Sequence, residues 1–214
     1  MLKNTVITIG RQFGSGGREI GRALAQQLDV PFYDRDLIAM ASEKSGVHGA
    51  LLEEVDEKAA NAFLQYFGAT SFAAGSRISL PTELSINDKL FFAQADVIKS
   101  VAEKGACVIV GRCADYILRE RGNCINVFIH AQLGERVKRV AELYDIDIAE
   151  AKSTIIKTDK RRASYYSYYT SKDWSDVTSY DIAVNSLKLG VKGCVDIIKR
   201  AAQMQEPGEA DEES

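Results

Sequence analysis

Short aliphatic, β-branched runs alternate along this chain with stretches whose apolar residues recur every three or four positions. Val6-Ile7-Thr8-Ile9 is the first run. It ends in a glycine-rich turn, after which Ile20, Ala23, Leu24 and Leu28 fall on one helical face. Asp29-Val30-Pro31 closes that helix, and Pro31-Phe32-Tyr33 begins a second short strand. Ala106-Cys107-Val108-Ile109-Val110 is a third run, followed by a helix with Ala114, Ile117 and Leu118 that stops near Gly122. Ile125 to Ile129 is the fourth, and its helix sets Leu133, Val137, Val140, Ala141 and Tyr144 on one face. Asp181-Ile182-Ala183-Val184 is the fifth, before a last helix through Val191, Cys194, Val195 and Ile198. Five strands alternating with helices predict an α/β fold, a parallel sheet of about five strands flanked by helices on both faces.

Two stretches leave the alternation. Residues from about 37 to 104 hold no strand pattern but several helical ones, including Leu90, Phe91, Val97, Ile98 and Val101, and are expected to form a helical lobe inserted between strands two and three. Residues 147 to 180 open with Asp147 and Glu150 at N-cap and N3 spacing, then run into the basic and aromatic segment Lys157 to Trp174. The end, residues 206–214, is acidic and is expected to be a disordered tail, which leaves 1–205 as one domain.

Composition narrows the function classes. A length of 214 residues fits one medium domain, and 46% hydrophobic with 27% charged residues is ordinary for a globular protein. A net charge of −3 offers no broad positive field for nucleic acid, so any phosphate site has to be local. No apolar run approaches the roughly 20 residues that span a bilayer, and the opening residues read as a strand, so a cytoplasmic protein without membrane contact is expected. Cys107, Cys113, Cys124 and Cys194 show no paired metal-ligand spacing, and reduced thiols are expected; His48 and His130 have no telling partners.

The chemistry concentrates in the first turn. Gly14, Gly16 and Gly17 lie between a strand and a helix, where backbone N–H groups and the positive end of the helix dipole converge on phosphate. A dinucleotide fingerprint fails, because Glu19 stands at the position of its third glycine. The strict P-loop pattern is also broken: with Gly16 as its second glycine, Arg11 takes the first glycine position and Gly17 that of the lysine. Arg18 is expected to supply the missing charge, with Arg11 the alternative, since a guanidinium binds phosphate oxygens in a fixed fork. The competing interpretation is a structural glycine turn with surface arginines.

The stretch Ile7-Thr8-Ile9-Gly10-Arg11-Gln12-Phe13-Gly14-Ser15-Gly16-Gly17-Arg18-Glu19-Ile20-Gly21 resembles the opening of the cytidylate kinase-like family. So do Pro31 to Asp34, Val108 to Arg112, the helix from Gly134-Glu135-Arg136, and Tyr165 to Thr170 leading to Trp174 and Tyr180-Asp181. The resemblance implies a P-loop NTPase fold with a nucleoside-monophosphate lobe and a lid, and ATP-dependent, magnesium-assisted phosphorylation of CMP, dCMP or a similar small phosphorylated acceptor. Bacterial cytidylate kinases proper carry Gly-Lys-Gly-Thr where this chain has Gly16-Gly17-Arg18-Glu19. Their Gly-Arg-Asp after strand three appears as Gly111-Arg112-Cys113, with Asp115 two residues on.

Nucleotide phosphates are thus assigned to Arg11, Gly14, Ser15, Gly16, Gly17, Arg18 and Glu19, and the acceptor to Asp34, Arg112 and Asp115. Magnesium, if held by the chain, falls to Glu19 or Asp34. Glu19 suits the dipole of its helix but repels phosphate unless a metal or an arginine intervenes. Arg18, Arg161 and Arg162 are the expected catalytic cations, the latter two at the start of the lid, where they meet the charge of the transferring group. Tyr165, Tyr166, Tyr168, Tyr169 and Trp174 either stack on a base or pack a small core. Two further functions stay open: a kinase of a non-nucleotide metabolite, and a regulatory nucleotide-binding protein without catalysis. The oligomeric state is not legible.

Overall fold

The computed structural model describes residues 2–34 and 86–205. The chain forms two compact units, one from residues 1–34 and 99–214 and one from residues 35–98. Most of the lobe expected over 37–104, and the tail at 206–214, lie outside the described residues.

The first unit is built on five strands: β1 (Val6–Arg11), β2 (Phe32–Tyr33), β3 (Cys107–Val110), β4 (Cys124–His130) and β5 (Ile182–Asn185). They form one sheet in the order β2-β3-β1-β4-β5, with every pairing parallel. Val6 pairs with Cys107 on one side and Cys124 on the other, so β1 is the centre of the sheet. Its neighbours are reached by crossovers in opposite directions, which opens a crevice beyond its carboxyl end.

Helices cover the sheet as the periodicity requires. Ile20 and Leu24 of α1 (Gly17–Leu28) and Cys194, Val195 and Ile198 of α6 (Ser186–Gln205) close over Ile7, Ile9, Val108, Val110, Val127 and Ile129. Ile7, Ile9, Ile20, Leu24, Ile129 and Ile198 are wholly buried. Each such side chain contributes about 1.5–3 kcal/mol by leaving water. A smaller core joins Val137 and Val140 of α4 (Leu133–Tyr144) to Ala151 and Ile155 of α5 (Ile148–Thr170), with Phe13 packed against it. That core ties the glycine turn to α5. The α5 start follows its sequence signal, because Asp147 Oδ1 accepts a 2.9 Å hydrogen bond from the Glu150 N–H. In the second unit, Phe91, Val97 and Ile98 of α2 (Ile86–Glu103) are buried.

Three local expectations are corrected. The helix after β3 starts only at Ala114, since Arg112 and Cys113 before it both adopt left-handed backbone (φ 60 and 55), and it is a single turn, α3 (Ala114–Ile117), that ends at Leu118 (φ −99, ψ 12) rather than near Gly122. α6 is interrupted at Gly190 (φ 68, ψ 170). On α4, Leu133 and Tyr144 are exposed rather than part of the inner face; Tyr144 stacks on Phe13 with ring centroids 6.1 Å apart.

Candidate functional site

β1 delivers the chain to the glycine turn at the sheet's carboxyl edge. Gly14 (φ 79) and Gly16 (φ 75) take left-handed conformations, and a Cβ on Gly14 would lie 2.7 Å from Val140 Cγ2. Only glycine fits there. The turn is closed by Ser15 Oγ donating to the Gln12 carbonyl (2.8 Å) and pinned from α6 by Ser186 Oγ donating to the Ser15 carbonyl (2.6 Å). Gly16 is the N-cap of α1 and offers no capping side chain, so the first N–H groups of the helix have no intrahelical or side-chain acceptor at this end. A phosphate is the group such an end accepts.

α4 and α5 hold the turn from the other side. Arg136 is buried; its Nε donates to the Ala131 carbonyl (3.0 Å) and its Nη1 to the Phe13 carbonyl (2.9 Å) and Asp159 Oδ2 (2.6 Å). Asp159 Oδ1 in turn accepts the Phe13 N–H at 2.8 Å. Arg136 is buried, and removing one partner from a buried ion pair costs about 3–5 kcal/mol. Its function is to fix the turn. The Arg139–Glu19 pair (2.6 Å) differs, with both side chains at least a third exposed. Pairs of that kind contribute about 0–1 kcal/mol. Glu19 is thus neutralised by an arginine, one of the two conditions under which it tolerates phosphate.

Beside the turn, four arginines gather, and Asp34 is paired with two of them. Arg18 Nε lies 2.5 Å from Asp34 Oδ2 and Arg11 Nη2 lies 3.9 Å from Asp34 Oδ1. Arg162 Nη1 donates to the Arg11 carbonyl (2.8 Å) and its guanidinium sits 5.6 Å from the Phe13 ring centre. Arg112 donates to the Tyr165 hydroxyl and presses electrostatically on both Arg11 and Arg162. Burial first, then the charge of Arg162, push the Arg11 guanidinium down from its usual 12.5, while Asp34 pulls it back. Arg162 is likewise pushed down by burial, against Asp159 and Asp34. In a chain of net charge −3, this edge of the sheet is locally cationic. Arg161 Nη2 reaches Thr158 Oγ1 at 3.2 Å.

Asp115 stands in different company. Its Oδ2 accepts the Tyr166 hydroxyl at 2.6 Å, and burial raises its carboxyl above the usual range. Tyr166 and Trp174 are buried, while Trp174 and Tyr180 both pack on Phe128. This part of the aromatic segment is a small core; Tyr168 is exposed. Sequence reasoning missed the Arg136–Asp159–Phe13 link, whose members lie 23 to 146 positions apart. No group of three or more metal-ligating side chains occurs among the described residues, and no described helix is long and apolar enough to cross a membrane.

A central strand running through a glycine turn into a helix, on a five-stranded parallel sheet, defines a P-loop kinase-type fold. Solved structures agree: the chain matches a shikimate kinase from Bacteroides thetaiotaomicron with TM-score 0.53 at 16% identity, covering 93% of this chain and 98% of that one. It matches a gluconokinase from Sinorhizobium meliloti with TM-score 0.52 at 17% identity, covering 94% and 95%. At such identities the likeness is one of fold. An uncharacterized protein from Eubacterium ventriosum is nearer, with TM-score 0.66 and 28% identity over 93% of this chain and 98% of that one. The profile of the cytidylate kinase-like family matches residues 6–188, and the chain belongs to that family. It is 27% identical to a cytidylate kinase from Staphylothermus marinus across 91% of this chain and 94% of that protein.

Proposed function

We propose that this chain transfers the terminal phosphoryl group of ATP to a small phosphorylated acceptor, with CMP or dCMP the first candidates. The observation that carries the reading is the cluster of Arg11, Arg18, Arg112 and Arg162, with Asp34 paired to two of them, beside a glycine turn at the switch point of the sheet. Asp34 and Asp159, the latter already paired with Arg136, do not balance four guanidinium groups, and an acceptor phosphate facing a triphosphate would. The ATP phosphates lie on the N–H groups of Gly14 to Arg18, where the donor set fits an anion. Arg112 holds the acceptor phosphate, and Asp34 orients the acceptor once its arginines turn to phosphate. Arg161 and Arg162 meet the charge that develops in transfer. Magnesium fits as an ion carried by the nucleotide, with phosphate oxygens, water and at most Asp34 or Glu19 as ligands; bound there it would offset charge between the phosphates. Such an enzyme works in the cytoplasm, where its substrates are.

The test is ADP release from ATP and magnesium with a panel of CMP, dCMP, other nucleoside monophosphates and phosphorylated sugars. Turnover with CMP or dCMP above the rest is expected. Tight ATP binding with no ADP release from any acceptor would instead mark a nucleotide-binding regulatory protein.

A further inference from the structure

The residue that stands where a P-loop lysine belongs is Gly17, and the space a side chain would take there is already filled. A Cβ built on Gly17 would lie 2.5 Å from Arg11 Cβ and 3.0 Å from Arg11 Cγ. The stem of Arg11, which occupies the position of the motif's first glycine, runs through the path the lysine stem would follow. The two positions have exchanged their side chains. Further out, a Cβ on Gly111 (φ 78) would collide with Arg11 Nη1. Arg11 is therefore threaded between two glycines, its stem passing one and its guanidinium the other.

Its root is rigid. Arg11 is the last residue of the central strand, in register with Ile129, and its carbonyl receives Arg162. Its head is less committed than that of Arg18: 3.9 Å from Asp34 against 2.5 Å, with five donors to distribute. Arg18, which follows the lysine position in sequence and was the expected substitute, has a half-exposed side chain directed to Asp34.

We infer that Arg11 replaces the P-loop lysine, binding the terminal phosphate of a nucleoside triphosphate through a guanidinium that reaches its place because Gly17 and Gly111 leave room for it. This rests on the proposed function, since it assigns a residue to the triphosphate of that same site. The downward pressure of burial and of Arg162 on the Arg11 charge is relieved by an anion at this point.

The experiment is a swap. ATP and AMP dissociation constants are measured by titration calorimetry for the wild type, Arg11→Gly, Arg11→Gly/Gly17→Lys and Arg18→Ala, with unliganded thermal unfolding as the check of folding. Arg11→Gly should weaken ATP by about 10- to 100-fold, as for a lost charged hydrogen bond, and leave AMP within a few-fold. The double variant restores a lysine with space for its stem and should recover most of the ATP affinity. Arg18→Ala should have the smaller effect. If Arg11→Gly does not fold, Arg11→Gln carries the same measurement. A folded Arg11 variant that binds ATP as the wild type does overturns the inference and leaves the proposed function standing, and so does a loss confined to Arg18→Ala. A wild type that does not bind ATP overturns both.

Discussion

Two groups of polar side chains flank the carboxyl end of β3, and they have opposite designs. Arg112 lies near Arg11 and Arg162, like charges whose counter-ions are Asp34 and, for Arg162, Asp159. Asp115, three positions later, turns into an aromatic core, where Tyr166 satisfies it at 2.6 Å. Titration is perturbed in both places. In the arginine cluster, burial of Arg11 is compounded by neighbours of the same sign, which is why a ligand anion is proposed there. At Asp115, burial is offset in part by a hydrogen-bond partner from within the chain. Perturbation alone therefore does not mark a functional site. The proposed acceptor site rests on Arg112 and Asp34, while Asp115 joins α3 to α5 through Tyr166.

The strongest test of the comparison is the one with the largest effect. Arg161→Ala/Arg162→Ala should lower turnover by a factor of about 10³, as loss of an arginine that stabilises transferring phosphoryl charge does elsewhere. ATP affinity should change far less, because these cations act mainly in the transition state. Steady-state rates with the best acceptor, beside ATP titrations, separate the two. Retention of the full rate would remove both arginines from the reaction and leave the cluster without a catalytic role.

The sheet was legible because its strands are short, mostly β-branched runs between turn signals, α1, α4 and α6 because their inner faces keep helical spacing, and the start of α5 from the N-cap spacing of Asp147 and Glu150. The glycine turn was legible for the same local reason. The parts that were not legible depend on contacts across the chain. Nothing in the neighbourhood of Gly17 says that Arg11 fills the missing lysine's space, since the exchange is visible only once β1 and α1 lie side by side. Asp159 reads as one acid in a basic helix until it meets the Phe13 N–H and Arg136. The single turn of α3 was hidden because its apolar spacing is helical, and the left-handed residues that precede it, Arg112 and Cys113, are not types that announce such backbone.

The second test addresses the aromatic side. Tyr166→Phe leaves the buried Asp115 carboxylate without its side-chain donor, at a cost of about 1–3 kcal/mol. Thermal unfolding should show that loss, while ATP affinity stays at the wild-type value. A variant as stable as the wild type but weaker for ATP would erase the distinction drawn between the two groups.

The smallest effect is the most specific, because it turns on the sign of one linkage. Burial raises the Asp115 carboxyl above its reference of 3.8, while the Tyr166 hydrogen bond pulls it back only in part. The folded state therefore holds this proton more tightly than the unfolded state does, and Asp115 costs stability as pH rises from the unfolded value through the folded one. Below that window the acid is neutral in both states and the cost vanishes. Asp115→Asn keeps a carbonyl acceptor for the Tyr166 hydroxyl and removes the ionisation. The stability of the wild type minus that of Asp115→Asn should thus fall as pH rises through the window and level off above it, whatever the other carboxylates do to both proteins. Paired denaturant titrations from acid to neutral pH give the difference directly. A difference that rises with pH would mean that the ionised carboxylate is the form the fold prefers. Asp115 would then rejoin Arg112 and Asp34 as a charged member of the acceptor site.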